Sequence, residues 1–324
     1  MINGVLKLFT GKELVIFVKH RNSIPLLNAE NKKHYIFLDP FYLWKFSFLF
    51  GRNSKLRYKA MAVMLSILSP RFIIDINWIS KQHSLYLAWC RKHSYCKFVV
   101  VQHGAYVAGL ITDIPHRYAK CQVMLCWSNY FIDVLKNYNT GKQVKFLLFG
   151  NPPYNQYNRN EFNFPTTNGN KILVAPSLIK ETRLTILLDF LQHLKNIGFD
   201  VYVKEHFFQP RYAQSIEGFN KVTGDFYSIL KNHQYDIVIT DVSSCMLDIL
   251  CFKNKALYFS PAGEADYNSN NEYSKYLENL ANCYKTISTK DALLQYINIE
   301  KQEALFQHLV YEGNNQLKPT LSGI

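Results

Sequence analysis

Short apolar runs alternate with helix-like segments along the chain, and this alternation constrains the fold more than any other feature. Each run is apolar at consecutive positions, which is typical of strands that are buried on both faces of a parallel sheet. The runs of the first half are "ELVIFVKH" (13–20), "HYIFLD" (34–39), "FIIDIN" (72–77), "KFVVVQHG" (97–104), "CQVMLCWS" (121–128) and "KFLLFGNPP" (145–153). Because helical stretches such as "SKQHSLYLAWCRKH" (80–93) separate them, they predict a parallel sheet covered on both faces.

The same alternation begins again after the segment "NRNEFNFPTTNGNK" (158–171), which is rich in Asn, Thr, Pro and Gly and which we interpret as an interdomain linker. The strand-like runs of the second half are "KILVAPS" (171–177), "FDVYVKEH" (199–206), "YDIVITD" (235–241) and "KALYFSP" (255–261). An amphipathic helix is predicted over residues 182–198, ending at Gly198. A chain of 324 residues can form two ordinary domains. We therefore predict an α/β protein with two Rossmann-like domains and a ligand in the cleft between them.

The charge of the chain is unevenly distributed between its two halves. Residues 1–150 contain 21 Lys and Arg against 6 Asp and Glu, a net charge of +15, whereas residues 151–324 contain 16 against 18. An anionic partner is therefore expected for the first half only, and nucleic acid, an anionic lipid surface or a phosphate-bearing acceptor would each fit. No recognised nucleic-acid motif is present, and the basic residues are dispersed along the chain.

One stretch of the first half, "FYLWKFSFLFGRNSKLRYKA" (41–60), alternates aromatic residues with Lys and Arg. Such a pattern is typical of a segment at a membrane interface, with aromatic rings inserted and cations near the lipid phosphates. The alternative is an ordinary helix that buries its aromatic side chains in the core of the first domain. The pattern alone leaves both interpretations open.

The cysteine content and the apolar runs bear on the cellular compartment. Seven cysteines without framework spacing and without a C-x-x-C pair favour a reducing environment. The amino-terminal residues lack the long apolar region of a signal peptide, and runs such as "MAVML" are far too short to cross a bilayer. We expect a cytoplasmic protein that is still able to bind a membrane surface.

Polar residues follow several of the predicted strands, at the edge where open parallel sheets bind their ligands. The strand ends with this character are Gln102-His103-Gly104, Gly150-Asn151-Pro152, Ala175-Pro176-Ser177, Lys204-Glu205-His206 and the segment "TDVSS" at 240–244. Each of these ends is weak evidence by itself. Their concentration at one kind of position predicts a single shared ligand site.

The segment 240–244 joins an apolar strand to an apolar helix, and it places Ser243 and Ser244 where the helix is expected to begin. Free backbone N–H groups and serine hydroxyls at such a point favour a phosphate. The alternative is that Asp241 or Ser243 only caps the helix, which is compatible with phosphate binding. At another strand end, Lys204 and His206 are candidates to contact the same phosphates or the leaving group.

Two further candidates lie near these strand ends. Arg211, in "PRY" (210–212), is a possible second cation for the phosphates. His103 follows a buried strand and precedes Gly104, which allows a sharp turn or a close approach to a ligand. A histidine in this position is well placed to act as the general base that activates an acceptor hydroxyl.

The order of these motifs resembles that of a bacterial surface-polymer transferase group. Its members include the CDP-glycerol glycerophosphotransferases of teichoic acid synthesis, and capsule and lipopolysaccharide sialyl- and Kdo-transferases carry related signatures. The matching residues are "VVQHG" (100–104), "CWSNYFIDVLKNY" (126–138), "FGNP" (149–152), "VAPS" (174–177), "KEH" (204–206), "VITDVSSCMLDIL" (238–250) and "YEGNN" (311–315). Residues 1–95 carry no matching signature.

The resemblance implies a GT-B architecture, in which two Rossmann-like domains face a central cleft. It implies an acceptor-side domain over residues 1–160, a donor-binding domain over 161–305, and a segment 306–324 that returns to the first domain. In the group, the residue corresponding to His103 is the base, and those corresponding to His206, Ser243 and Ser244 contact the donor phosphates. From the strand ends, Ser177, Lys204 and Asp241 complete the set of donor-site candidates, and Gln102, Gly104, Asn151 and, from "PRY", Arg211 are secondary candidates.

We therefore expect a glycosyltransferase of capsule, lipopolysaccharide or related glycan assembly, located on the cytoplasmic face of the inner membrane. A nucleotide-activated sugar, with a CMP-sugar favoured, would be the donor, and a lipid-linked or oligosaccharide hydroxyl the acceptor. No D-x-D pair is placed to hold a metal, so no metal and no cofactor are predicted. The alternatives are a CDP-alditol (glycerol) phosphotransferase, a nucleotide-sugar epimerase and, least favoured, a nucleic-acid-binding protein.

Overall fold

A computed structural model of the chain describes residues 1–19, 23–47, 49, 54–75, 81–102, 121–138, 144–166, 169–176, 181–204, 216, 218–261, 272–322 and 324. These residues form two compact units. The first unit contains the described residues within 1–102, 121–157 and 309–324, and the second contains those within 158–308. The boundaries placed from the sequence, 160/161 and 305/306, each lie close to these divisions.

The first unit is built on a sheet of six parallel strands. They are β1 (Glu13–Phe17), β2 (Tyr35–Leu38), β3 (Phe72–Asp75), β4 (Lys97–Val101), β5 (Val123–Cys126) and β6 (Lys145–Leu148), and they lie in the order β2-β1-β3-β4-β5-β6. In the central strand β4, the consecutive residues Val99, Val100 and Val101 are all buried. Because side chains alternate between the two faces of a strand, both faces of this sheet are covered, as the apolar runs predict.

The second unit is built on five parallel strands. They are β7 (Lys171–Ala175), β8 (Asp200–Lys204), β9 (Asn220–Val222), β10 (Ile237–Thr240) and β11 (Lys255–Tyr258), in the order β11-β10-β7-β8-β9. Four of them match the apolar runs of the sequence. The edge strand β9 was missed because its three residues, two of them exposed, contain no apolar run.

Thirteen α-helices lie within the described residues. They are α1 (Ile2–Thr10), α2 (Ala29–His34), α3 (Pro40–Ser47), α4 (Ser54–Leu68), α5 (Lys81–Lys92), α6 (Asn129–Tyr138), α7 (Glu181–Asn196), α8 (Phe226–Lys231), α9 (Cys245–Cys251), α10 (Glu272–Tyr276), α11 (Lys290–Leu294), α12 (Ile299–Leu309) and α13 (Leu317–Leu321). Helix α7 is the amphipathic helix predicted over 182–198. Leu187, Phe190 and Leu194 pack in the core of the second unit, and Gly198 follows the helix with a φ of 95°.

The strand order locates the point in each sheet where successive connections run in opposite directions. In the first sheet β1 is followed by β2 on one side and β3 on the other, so the order reverses between β1 and β3. In the second sheet β7 is followed by β8 and β9 on one side and by β10 and β11 on the other, so the order reverses between β7 and β10. In open α/β sheets, the crevice at the carboxyl end of such a pair of strands is the usual ligand site.

The segment 158–171, interpreted from its composition as a linker, begins with a firm attachment to the second unit. Arg159 is buried, and its guanidinium makes two hydrogen bonds to each of two partners, the carboxylate of Glu303 and the backbone oxygen of Leu250. The ring of Phe162 also packs edge-on against that of Phe252, at 5.3 Å between centroids. The first residues of this segment are therefore anchored to the second unit, which composition does not show because a single arginine makes the attachment.

The carboxyl-terminal segment packs on the first unit. The side chain of Asn31 donates to the backbone oxygen of Asn315 at 2.6 Å and accepts from the N–H of Leu317 at 2.8 Å. Leu317 and Leu321 of α13 are buried in the core beneath β1, β3 and β4. The chain thus returns to its first unit after completing the second.

Candidate functional site

The polar segment 240–244 lies at the carboxyl end of β10, beside β7, where the strand order of the second sheet reverses. Thr240 is paired with Ala175 across the two strands, and its hydroxyl donates to the backbone oxygen of Ala175 at 2.8 Å. Asp241, the next residue, is buried. This end of the sheet is therefore held firmly, and the segment that follows it starts from a fixed position.

Ser243 and Ser244 lie directly before α9, but their hydrogen bonds differ from those of the expected helix cap. Ser244 occupies the N-cap position with a helical backbone, and within the described part of the chain its side chain makes no capping bond. The Ser243 hydroxyl accepts the N–H of Cys245 at 3.2 Å, and its backbone oxygen accepts the Tyr273 hydroxyl at 2.7 Å. Asp241, the other residue considered as a cap, does not occupy that position.

Helix α9 offers fewer free donors than the sequence pattern suggested. It is only seven residues long, and besides the N–H of Cys245, those of Met246 and Leu247 already donate to the backbone oxygens of Ser243 and Ser244. The two serine hydroxyls, rather than the helix dipole, are therefore the groups that this segment can present to a phosphate.

Buried carboxylates surround this segment. Asp248 is buried and accepts the Tyr227 hydroxyl at 2.9 Å, and Asp241 is buried nearby. Burial raises the pKa of Tyr273 well above its usual value, and the neighbouring carboxylates of Asp248 and Asp241 add to this shift. Because a phosphate would be repelled by these carboxylates, phosphate binding here requires cations as well as hydroxyls.

Lys204 supplies the one described cation among the predicted donor-site residues. It ends β8, which lies next to β7, so the ends of β8, β7 and β10 are consecutive along one edge of the sheet. The structure thus brings Lys204, Ala175 and the segment 240–244 to the same edge. The other donor-site candidates, Ser177, His206 and Arg211, lie outside the described residues.

In the first unit, the predicted base His103 and the neighbouring Gly104 also lie outside the described residues. Gln102, a secondary candidate, directly follows β4 and is fully buried. Its side-chain oxygen accepts the backbone N–H of Trp127, and its backbone oxygen accepts the indole N–H of Trp127, both at 2.9 Å. Gln102 therefore positions the loop after β5, a structural use that its place at a strand end does not reveal.

Two buried polar residues follow neighbouring strands of the same sheet. One is the secondary candidate Asn151, and the other is Ser128, which the sequence pattern did not indicate. Asn151 comes after β6 and is 2% exposed, and Ser128 comes after β5 and is 4% exposed. Among the described residues, neither the Oδ1 of Asn151 nor the Oγ of Ser128 has a hydrogen-bond partner. The only signal for Ser128 was its position between a strand and a helix in "CWSNY".

A second group missed from the sequence lies where the order of the first sheet reverses. Asp75 ends β3 and is buried, and Asp39 follows β2 and accepts the backbone N–H of Phe41 at 2.9 Å. Tyr86 of α5 is buried, and in the part of the chain that the structure describes its hydroxyl lacks a hydrogen-bond partner. Burial first, and then the charges of Asp75 and Asp39, raise the pKa of Tyr86.

The helices α1, α3 and α4 expose an apolar surface on the first unit, and α4 packs against both of the others. All nine residues of α1 are at least partly exposed, with Leu8 at 86% and Phe9 at 85%. We call this the N-terminal apolar surface. Its exposed apolar side chains are Met1, Ile2, Val5, Leu8, Phe9, Phe41, Tyr42, Phe46, Leu49, Leu56, Val63 and Ile67.

This surface tests the core-burial interpretation of the stretch 41–60 for three of its aromatic residues. Phe41, Tyr42 and Phe46 are each more than half exposed, so the interpretation that they are buried in the core is wrong. The buried apolar residues of α3 are Pro40 and Leu43. Lysines lie among these rings, with the Nζ of Lys45 4.7 Å from the centre of the Phe41 ring.

Two searches of the described residues bear on cofactors and membranes. Within the described ranges, no group of three or more His, Cys, Asp and Glu side chains is arranged to hold a metal ion. Among the helices that the structure describes, none combines the length and the apolar character that crossing a bilayer requires.

Comparison with known proteins identifies the architecture. No protein-family model matches the sequence, and no curated protein sequence matches it. Among solved structures, a variant of the wall teichoic acid polymerase TagF is 15% identical, with a TM-score of 0.55 over 96% of this chain and 87% of that one. Another structure of this polymerase was obtained after soaking with CDPG.

Two further structures belong to epimerases. A Listeria monocytogenes protein assigned as a UDP-N-acetylglucosamine 2-epimerase has a TM-score of 0.59 at 11% identity, over 94% of this chain and 93% of that one. The UDP-GlcNAc 2-epimerase from Neisseria meningitidis bound to UDP-GlcNAc has a TM-score of 0.52 at 11% identity, over 96% and 98%. These structures have the GT-B fold, so the fold predicted from the sequence is confirmed.

Proposed function

We propose that the protein is a glycosyltransferase of bacterial surface-glycan assembly. It moves a sugar from a nucleotide-activated donor to a hydroxyl of a lipid-linked or glycan acceptor. The observation that carries this proposal is the polar segment 240–244 at the carboxyl end of β10, where the order of the second sheet reverses. GT-B neighbours bound to UDP-GlcNAc or soaked with CDPG support a nucleotide-linked ligand for such a fold.

The donor phosphates would be held by hydroxyls and cations together. Ser243 and Ser244 present hydroxyls, and Lys204 at the end of β8 adds a positive charge. His206 and Arg211 are the further cations that the buried carboxylates Asp241 and Asp248 make necessary. These groups can offset the charge of the departing nucleotide without a metal ion.

The acceptor would be activated from the first unit. His103 removes the proton from the acceptor hydroxyl, and Gly104 allows the close approach that this step requires. Gln102 does not contact substrate in this scheme, because its side-chain oxygen is used to hold Trp127. It positions the loop after β5 instead.

A CDP-alditol phosphotransferase is the second candidate. It would use the same donor-site residues, but the acceptor would attack phosphorus instead of an anomeric carbon. The observation that favours it is the likeness to TagF, whose structure was obtained with CDPG. A nucleotide-sugar epimerase is less favoured although two neighbours are epimerases, because a small-molecule enzyme has no use for a basic half of +15.

An anionic membrane surface would be the site of action, on the cytoplasmic face of the inner membrane. The N-terminal apolar surface exposes rings and aliphatic side chains, and Lys45, Lys55 and Lys59 are exposed among them. Aromatic and aliphatic groups insert at the lipid interface while lysines contact the phosphates. A lipid-linked acceptor would then be presented to the unit that carries His103.

A thermal-shift panel of CMP, CDP, UDP, GDP and ADP tests the donor site. A nucleotide at about 100 times its dissociation constant stabilises the folded protein by about 2.7 kcal/mol. We expect a cytidine-selective rise in melting temperature for the wild type that is lost in the Ser243→Ala/Ser244→Ala variant. A matched Ser66→Ala/Ser322→Ala variant, whose serines lie on the first unit, should keep the shift.

The outcomes of this panel are distinct. A shift selective for uridine or guanosine nucleotides would keep the site and change the donor. No shift with any nucleotide, or a shift that survives in the Ser243→Ala/Ser244→Ala variant, would contradict the proposed donor site.

A further inference from the structure

Ser128 and Asn151 in the first unit each bury a polar atom that is unpaired within the described part of the chain. Ser128 and Asn151 are 4% and 2% exposed, yet the Oγ of Ser128 and the Oδ1 of Asn151 have no hydrogen-bond partner among the described residues. Nearly all buried polar atoms in folded proteins are paired. Two unpaired atoms on adjacent strand ends therefore indicate a missing hydrogen-bond partner, either a ligand group or an ordered water.

The two residues leave the sheet from the same register. Cys126 of β5 is paired with Leu148 of β6, and the backbone oxygen of Cys126 accepts the N–H groups of both Phe149 and Gly150, at 2.9 and 3.0 Å. Ser128 therefore follows β5, and Asn151 follows β6, at the same carboxyl edge of the first sheet. Gln102, which directly follows the neighbouring strand β4, lies at this edge as well.

The loop that carries Asn151 is held rigidly by the carboxyl-terminal segment. Gly150 has a φ of 85°, and a Cβ at this position would collide with the backbone oxygen of Tyr311. The side chain of Asn155 donates to the backbone oxygen of Phe149 at 3.2 Å and accepts the N–H of Gly313 at 3.1 Å. A loop restrained in this way cannot rearrange cheaply to pair Asn151.

The loop that carries Ser128 is restrained as well. Trp127, directly before Ser128, is fixed by its two hydrogen bonds to Gln102, and its backbone oxygen accepts the N–H of Tyr311 at 2.7 Å. Ser128 also directly precedes α6, a helix of ten residues, and its backbone oxygen accepts the N–H of Ile132 at 3.3 Å. Both unpaired atoms are thus preorganised before any ligand binds.

The chemistry of the two atoms selects the ligand group. The amide oxygen of Asn151 only accepts hydrogen bonds, whereas the Ser128 hydroxyl both donates and accepts. A ligand hydroxyl can donate to Asn151 and accept from Ser128, which pairs both atoms. A phosphate or carboxylate has no proton to donate and would meet the lone pairs of the Asn151 oxygen.

We propose that Ser128 and Asn151 bind a hydroxyl group of the acceptor, so that the acceptor is a polyhydroxylated sugar or alditol. The proposal rests on the proposed transferase function, because it assigns the acceptor to the unit that carries His103. It goes further in naming two binding residues and the functional group that they recognise. An ordered water molecule is the competing occupant, since water can also pair both atoms.

Saturation-transfer NMR with free glycerol, ribitol, glucose, galactose and N-acetylglucosamine tests the proposal. The wild type is compared with Ser128→Ala, Asn151→Ala and the matched control Ser322→Ala, whose exposed hydroxyl only donates to the backbone oxygen of Pro319. We expect transfer to at least one probe in the wild type and the control, reduced about fivefold or more in both other variants. Their melting temperatures should stay within about 2 °C of the wild type or rise, because each substitution removes an unpaired buried atom.

Three results would overturn the proposal. The first is that no probe receives saturation transfer from the wild type. The second is that transfer is unchanged in both Ser128→Ala and Asn151→Ala. The third is that both of these variants have lower melting temperatures but lose no transfer, which identifies a structural water. Running the nucleotide panel on the same proteins separates this proposal from the proposed function. If Ser128→Ala and Asn151→Ala keep the nucleotide-induced rise in melting temperature, the proposed donor site is supported independently of the sugar result. If sugars bind but no nucleotide raises the melting temperature, the proposed acceptor site is supported and the proposed donor site is contradicted.

Discussion

The two units of the molecule share a parallel α/β design but differ in the surface that they present. Among the described residues, Ile186 is the one large apolar side chain of the second unit that is strongly exposed, whereas the first unit exposes the whole N-terminal apolar surface. The charge differs in the same sense, with +15 over residues 1–150 and near neutrality beyond. Two sheets of similar design thus belong to units with different surfaces, and this difference is the basis for proposing a different partner for each unit.

The carboxyl edges of the two sheets differ as well. In the second sheet, one continuous polar segment, 240–244, lies at the reversal of strand order, and hydroxyls are its available groups. In the first sheet, Asp75 ends β3 at the reversal and Asp39 follows the edge strand β2, and such carboxylates do not suit a phosphate. The unpaired atoms of Ser128 and Asn151 lie at strands further along the same edge. These differences favour the second sheet for the proposed binding of the donor phosphate.

The largest expected effect contrasts two phenylalanines, one in each unit. Phe190 is completely buried and stacks on Phe259 with 3.7 Å between ring centroids, so Phe190→Ala should lower the free energy of unfolding by about 3–5 kcal/mol. Phe9 is 85% exposed, so Phe9→Ala should change it by about 0.5 kcal/mol at most. Urea denaturation of the two variants measures both values. A large loss for Phe9→Ala would show that α1 is part of a buried core.

The next effect concerns vesicle binding. Replacing Leu8 and Phe9 together by Glu removes two inserting side chains and adds two negative charges. Binding to anionic phosphatidylglycerol vesicles in a sedimentation assay should fall about tenfold or more. The matched control is Ile186→Glu on the second unit, which is 38% exposed and should leave binding unchanged. Equal vesicle binding by the wild type, the double variant and Ile186→Glu would show that the N-terminal apolar surface does not bind the membrane.

A smaller effect tests whether the first unit has a dry core despite its exposed surface. Burial raises the pKa of Tyr35 to about 12 in the folded protein, from an unfolded value near 10. Because the folded state then holds its proton more tightly, this contribution to stability is complete below pH 10 and is lost as the pH rises towards 12. At pH 11 the loss is about 1 kcal/mol. Urea denaturation at pH 9 and 11 should show this slope in the wild type and a flatter one in Tyr35→Phe. Equal slopes would mean that Tyr35 is hydrated.

Much of the fold follows from the local pattern of the sequence. A run such as "KFVVV" is apolar on both faces, and it forms β4 as predicted. The pattern fails where an element lacks an apolar run, as in β9, or where a helix keeps its apolar residues in solvent, as in α1. Strand order depends on tertiary packing, so the positions of the two reversals could not be derived from local patterns.

The candidate site was predictable in position but less so in detail. The segment 240–244 was placed at a strand end from its polarity alone. That the Ser243 hydroxyl accepts the N–H of Cys245 depends on backbone geometry, which residue types do not encode. Ser128 was missed because a serine between a strand and a helix usually caps the helix, and only burial together with a missing partner distinguishes it. The catalytic role of His103 stays a prediction.

Hydrogen exchange in the presence of a saturating nucleotide tests whether the donor site lies at the segment 240–244 of the second unit. The nucleotide is the one that stabilises the protein most in the thermal-shift panel, and exchange is followed by mass spectrometry over both units. We predict that the nucleotide protects the peptides covering residues 240–247 and the end of β8. The peptides of β1–β6 should exchange at the same rate with and without nucleotide. Protection confined to the first unit, with unchanged exchange over 240–247, would contradict the assignment of the donor site.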